Sequence, residues 1–161
     1  MNKIIVIGCP GAGKSTFARQ LNYKTQIPLF YLDMIWHHAD KTTATREQFD
    51  DELNKIMDQE RWIIDGNYIR TLPVRLQQCD TVFLLDYPLE VCIAGVESRI
   101  GKSRVDMPWA ETEFDPEFRR WISEFPQKQL PEIYFWLHAY PDKKIHIFKS
   151  REEAVEFIEN C

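Results

Sequence analysis

Hydrophobic and polar positions follow two alternating periods along this chain. Short apolar runs rich in branched residues fall at Ile4-Ile5-Val6-Ile7, Pro28-Leu29-Phe30-Tyr31-Leu32-Asp33, Trp62-Ile63-Ile64-Asp65-Gly66, Thr81-Val82-Phe83-Leu84-Leu85-Asp86 and Lys144-Ile145-His146-Ile147-Phe148. Runs of this length, mostly without polar alternation, predict strands buried on both faces. Between them apolar residues recur every three or four positions. Phe17, Ala18 and Leu21 form one such set, and Phe49, Leu53, Ile56 and Met57 a second. A third comprises Leu89, Cys92, Ile93, Val96 and Ile100, a fourth Phe118, Trp121, Ile122 and Phe125, and a fifth Ala154, Val155 and Ile158. Each predicts a helix with one inward face.

Local signals sharpen the boundaries. Thr45 with Gln48, and Ser150 with Glu153, have the spacing of capping boxes. Pro126 is expected to break or kink its helix, and Pro131 to restart one as an early helical residue. Tyr134, Phe135 and Trp136 then read as core and packing residues. Residues 101–115 are polar without a clear period and predict a loop, as do Trp36, His37 and His38 after the second strand.

Strands that alternate with helices imply an α/β fold, a parallel sheet covered on both faces. No linker, repeat or low-complexity tract divides residues 1–161, so one domain is expected. Ligands of such sheets bind at the C-terminal strand ends. Asp33, Asp65 and Asp86 would all stand on that edge.

The loop after the first strand reads Gly8-Cys9-Pro10-Gly11-Ala12-Gly13-Lys14-Ser15-Thr16 and satisfies G-x-x-x-x-G-K-[ST]. Its glycines let backbone N–H groups turn around an anion, and the following helix adds its positive end. Lys14 is expected to reach the β- and γ-phosphates, and Ser15 to bind Mg²⁺. Asp65, followed by Gly66, suits a carboxylate that holds Mg²⁺ through water. Asp33 is an alternative for that role, or a proton acceptor for a substrate hydroxyl. Arg99, Lys102, Arg104, Arg119 and Arg120 are spaced for a closing lid that contacts phosphate. The same helix end and Lys14 would favour a thiolate at Cys9, were it exposed.

Composition narrows the classes. The chain has 161 residues, 44% hydrophobic and 13% aromatic, which suits a folded domain. A formal net charge of −5 argues against a general nucleic-acid binder. Cys9, Cys79, Cys92 and Cys161 form no C-x-x-C pair, so neither zinc nor a disulfide framework is expected. The strand and phosphate loop fill the stretch where a signal peptide would lie, and no membrane partner is expected; a cytoplasmic setting follows.

Together these residues resemble the small adenylate kinase-like phosphotransferases, and among them the bacterial family named DNA topology modulation proteins, or adenylate kinase-related kinases. The resemblance spans nearly the whole chain. It is carried by the phosphate loop, by Leu32-Asp33-x-x-Trp36, by Trp62-Ile63-Ile64-Asp65-Gly66-Asn67-Tyr68, by Leu85-Asp86-Tyr87-Pro88 and by Arg104-x-Asp106-Met107. It implies a three-layer P-loop NTPase fold with a five-stranded parallel sheet in the order 2-3-1-4-5, a short lid at about residues 100–114, and ATP–Mg²⁺ as phosphoryl donor. Arg99 and Arg104 match lid arginines, and the adenine would lie between the lid helix and Lys149-Ser150-Arg151. The chain departs from the pattern at Gly95, where relatives carry an arginine that packs on adenine. Asn67-Tyr68 stands where adenylate kinases have Phe-Pro-Arg, so AMP is not the expected acceptor.

The expectation is an ATP-dependent small-molecule, nucleoside or nucleotide kinase. Gly8 to Thr16, Arg99 and Lys149 to Arg151 would hold the nucleotide, and Ser15 and Asp65 the metal. Lys14, Arg99, Arg104 and Asp33 would serve the chemistry. Asp33, Trp36, Asn67, Tyr68 and Arg70 would wall the acceptor. A nucleotide-hydrolysing switch and a nucleic-acid or topology-related regulator are the alternative readings.

Overall fold

The computed structural model describes residues 1–161. β1 (Lys3–Gly8), β2 (Leu29–Tyr31), β3 (Trp62–Asp65), β4 (Thr81–Leu85) and β5 (Lys144–Phe148) form one parallel sheet in the order β2-β3-β1-β4-β5. Parallel neighbours require long crossovers, which the helices supply on both faces. These are α1 (Lys14–Thr25), α2 (Leu32–Trp36), α3 (Arg46–Met57), α4 (Leu72–Gln78), α5 (Leu89–Arg99), α6 (Pro116–Lys128), α7 (Leu130–Ala139) and α8 (Arg151–Glu159). The order is the expected one.

The three inner strands are buried almost throughout, which is why they read as unbroken apolar runs. Ile5 pairs with Ile64 on one side and Val82 on the other. Phe17 of α1 packs on Phe83 and Phe148 with ring centroids 5.0 and 5.6 Å away. Each fully buried aliphatic side chain of this core contributes roughly 1.5–3 kcal/mol. The register brings Tyr31, Asp65, Gly8, Leu85 and Phe148 to the same C-terminal edge.

Four local expectations are corrected. β2 stops at Tyr31, opposite Asp65, the last residue of β3. With no further ladder partner the chain turns directly into α2, so Asp33 lies in a helical first turn and Trp36 ends that helix. Pro126 does not end α6; the chain steps at Gln129, whose N–H still donates to Phe125 and whose C=O accepts from Ile133, just before Pro131. Val155 and Phe135 face solvent, while Ala154, Ile158, Ile133 and Leu137 carry the inward faces. Thr45 and Gln48 form a complete capping box, but at α8 only the Ser150 half forms, because the Glu153 carboxylate accepts from Lys149 N–H instead.

α5 lies directly on the phosphate loop. A Cβ on Gly95 would stand 2.0 Å from the Gly11 carbonyl oxygen, and one on Gly11 would stand 2.0 Å from that of Cys92. The departure at position 95 therefore has a steric cause: backbone meets backbone there, and no side chain fits.

Candidate active site

Between β1 and α1 the backbone folds into a tight loop. Ala12 N–H donates to Cys9 C=O at 3.0 Å, and Gly13 takes a left-handed conformation before Lys14 starts the helix. Phe17 N–H, on Gly13 C=O at 2.9 Å, is the first amide of α1 with an acceptor. The amides of Gly13 to Thr16 have none, which is the donor set of an anion cradle. Asn67 fixes the start of this loop. Its side-chain amide donates to Gly8 C=O at 2.7 Å and its oxygen accepts from Gly8 N–H at 3.0 Å.

Asp65 closes β3 beneath the helix start. Ser15 Oγ lies 2.9 Å from Asp65 Oδ2 and 2.8 Å from Asp106 Oδ2. Burial raises the Asp65 carboxyl to about 6, against the opposing pull of Lys14 and the Ser15 hydroxyl. Asp65 Oδ1 is buried with no partner. Burial works upward on Asp106 as well, but the hydrogen-bonded Arg104 guanidinium holds it below its ordinary value.

The segment between α5 and α6 carries charge into this place. Arg104 donates to both oxygens of Asp106, at 3.1 and 2.7 Å, and to Glu111 at 2.5 Å. Glu111 also lies 3.6 Å from Arg99. Burial and the neighbouring Arg104 lower the pKa of Arg99, whose Nε is buried without an acceptor. Gly101 N–H donates to Glu111 C=O at 2.5 Å and closes the base of the segment.

Across the cavity, Tyr68 OH donates to Asp33 Oδ1 at 2.6 Å. His37 meets the Trp109 ring edge-on at 5.2 Å. The turn that presents Tyr68 is held by Arg75, a wholly buried guanidinium that donates to the carbonyls of Gly66, Asn67 and Tyr68. Burial lowers its pKa to about 9.

These groups surround one cavity of about 960 Å³. It is lined by Pro10, Gly11, Gly13, Lys14, Ser15 and Thr16 of the loop, by Asp33, Asp65, Asn67 and Tyr68, and by Arg99, Arg104 and Arg151. Of the predicted acceptor wall, Trp36 and Arg70 lie elsewhere. Trp36 packs on Phe49 and Tyr68, and Arg70 forms an exposed two-pronged pair with Asp50. Lys149 and Ser150 also stand off the cavity: Asp86 and Tyr134 engage the ammonium, and the Ser150 hydroxyl caps α8. Cys9 keeps its place in the loop through its carbonyl. Its thiol is buried, and the Cys92 thiol and burial push its pKa up, so the exposure on which a thiolate depended is not met.

Sequence reading missed a role for Asp106, Arg75, Arg19 and Trp121. Asp106 sits in an aperiodic segment, and only its place in Arg104-x-Asp106 marked it. Arg75 lies on a helix too short to show a period. Arg19 and Trp121 line the cavity from faces that read as solvent and as core.

Oxygen donors at Ser15 and Asp65, one of them an orphaned buried carboxylate oxygen, fit a hard divalent cation. No group of three or more His, Cys, Asp and Glu side chains is set to hold a metal by itself, so water and ligand oxygens would complete the shell.

The sheet order and the cradle define the fold of the P-loop kinases. Solved structures with this fold include a shikimate kinase from Bacteroides thetaiotaomicron, 17% identical, covering 98% of this chain and 94% of that one, with a TM-score of 0.62. Another is a shikimate kinase from Acinetobacter baumannii in complex with shikimate, 15% identical, covering 99% and 90%, with a TM-score of 0.65. A third is a sugar kinase from Janibacter sp. HTCC2649, 16% identical, covering 98% and 90%, with a TM-score of 0.53. No protein-family model and no curated protein matches the chain. The likeness supports the kinase fold and gives no support to kinship with the topology-modulation family. No helix is long and apolar enough to cross a membrane.

Proposed function

We propose that the chain is an ATP- and Mg²⁺-dependent phosphotransferase acting on a hydroxyl-bearing small molecule, with residues 1–161 forming one kinase domain. The observation that carries this reading is a pair of unsatisfied buried groups on one cavity. Nearly all buried polar atoms in folded proteins find partners. Here Asp65 Oδ1 and Arg99 Nε have none, and both residues line the cavity that contains the phosphate loop. One is an acceptor suited to a cation and the other a donor suited to an anion, the two parts of a metal–phosphate complex.

The amides of Gly13 to Thr16 and the Lys14 ammonium would hold the β- and γ-phosphates. Ser15 and Asp65 would hold Mg²⁺, which when bound neutralises charge on the phosphate oxygens. Arg99 and Arg104 would stabilise the charge of the transferring group once Arg104 leaves Glu111. Asp33, oriented by the Tyr68 hydroxyl, keeps its second oxygen for the proton of an acceptor hydroxyl. His37 and Trp109 give that end of the cavity an aromatic wall. Gly95, Trp121 and Arg151 would flank the base at the other end. Shikimate and sugars, named for the structural neighbours, are hydroxylated small molecules, which supports this acceptor class.

A screen of hydroxylated metabolites, nucleosides and nucleoside monophosphates for ADP release, with mass spectrometry of the products, tests the reading. One phosphorylated product per ADP is expected. ADP release without any phosphorylated acceptor would replace the kinase by a hydrolysing switch.

A further inference from the structure

We propose that Asp106 is a direct ligand of the divalent cation, shared with Ser15 and Asp65, so that the metal ties the 101–114 segment to the phosphate loop. The inference rests on the metal-dependent reading above and adds a residue to it.

The argument begins with one proton. Ser15 Oγ has close contacts to two carboxylate oxygens, Asp65 Oδ2 at 2.9 Å and Asp106 Oδ2 at 2.8 Å. A hydroxyl has a single hydrogen to donate. With both acids ionised, one of the two contacts has no hydrogen in it. Arg104 neutralises Asp106 from one side. Nothing donates to Asp65 Oδ1, which is fully buried. Lys14 pulls on Asp65 without forming an ion pair with it, so of the two carboxylates that share the Ser15 hydroxyl only Asp106 has a cation in direct contact.

A metal cation supplies the missing contact with the right spacing. Ligands of octahedral Mg²⁺ stand about 2.0–2.1 Å from the metal, so neighbouring oxygens at right angles lie roughly 2.9 Å apart. Both measured separations match that edge. All donors are hard oxygens, which selects Mg²⁺ or Mn²⁺ over metals that prefer sulfur or imidazole. Arg104 does not compete for the site, because a carboxylate oxygen accepts a hydrogen bond and binds a metal together.

The geometry has a functional consequence. Asp65 and Ser15 stand on the rigid sheet edge and helix start. Asp106 lies in a segment anchored at its base by the Gly101–Glu111 bond. A cation held by all three positions Arg104 two residues away, so metal loading presets the arginine that meets the phosphates.

Mn²⁺ alone is the probe, titrated into the nucleotide-free full chain and followed by the electron-paramagnetic signal of free aqueous Mn²⁺. Wild type takes up Mn²⁺; Asp106→Asn and Asp65→Asn each weaken uptake by roughly tenfold or more. Mn²⁺ slows amide exchange across 101–114 in wild type and leaves it unchanged in Asp106→Asn. Should that variant misfold, Asp106→Glu carries the test: Mn²⁺ uptake within a few-fold of wild type supports a carboxylate ligand at this position, and unbroadened Val105 to Met107 amides in wild type at saturating Mn²⁺ overturn the proposal. A folded Asp106→Asn with unchanged or tighter Mn²⁺ binding also overturns it, and reduces Asp106 to a counter-ion for Arg104. Uptake of Mn²⁺ through Asp106 without any phosphorylated product would keep this inference and remove the kinase reading.

Discussion

Replacing Asp65 by asparagine should stabilise the metal-free protein while destroying its response to metal. The carboxyl is raised from its ordinary 3.8 to about 6, chiefly by burial. The folded state therefore binds the proton more tightly than the unfolded chain. Stability falls as pH rises from 3.8 to about 6 and does not return above it. The displacement of roughly two units, at about 1.4 kcal/mol each, amounts to about 3 kcal/mol at neutral pH. Asparagine is never charged and escapes this cost. The unpartnered second atom is orphaned in either protein, so that penalty cancels. Urea unfolding in a chelating buffer measures the difference. At pH 7.5 Asp65→Asn should be more stable by up to about 3 kcal/mol, and at pH 5 by about half as much. Added Mg²⁺ should raise the midpoint of wild type alone. A variant less stable than wild type at pH 7.5, or a gap equal at both pH values, would refute the reasoning.

Three further outcomes are expected. Lys14→Ala should lose several kcal/mol of transition-state stabilisation, read as a drop in kcat/KM of roughly a thousandfold or more, while calorimetry still detects a folded protein. Brief alkylation of the native chain should label Cys161 first, since Cys9, Cys79 and Cys92 are buried; equal labelling of Cys9 and Cys161 would contradict the packing of the loop on α5. Gly95→Ala should lower the thermal midpoint by an amount equivalent to about 1–3 kcal/mol, because its Cβ would meet the Gly11 carbonyl; an unshifted midpoint would mean that the helix stands further from the loop.

The sheet was legible because its inner strands are buried on both faces, so their sequences carry apolar runs from Ile4 to Ile7 and from Thr81 to Leu85. The phosphate loop was legible because backbone geometry restricts its fixed positions. What escaped depends on contacts between distant segments. Asp106 reaches Ser15 across ninety-one positions, and nothing local in residues 101–115 foretells it. Asn67 looked like an acceptor contact, yet its amide is doubly bonded to Gly8 while its flank still lines the cavity. Trp36 and Arg70 fell outside because the early end of β2 rotated the one into packing, and Asp50 drew the other to the surface. Lys149 was read as a nucleotide contact without its partner Asp86, which is remote in sequence.

The closed base of the 101–111 segment separates the tip of that stretch from its two ends. Gly101 and Glu111 hold those ends together, so a change of length beyond Asp106 leaves the spacing of α5 and α6 in place. Doubling the length of such a loop costs only about 0.6 kcal/mol in closure entropy. Lengthening the tip is therefore a small thermodynamic step. Residues can be added at the tip while the cradle, Asp65 and the sheet beneath them stay as they are.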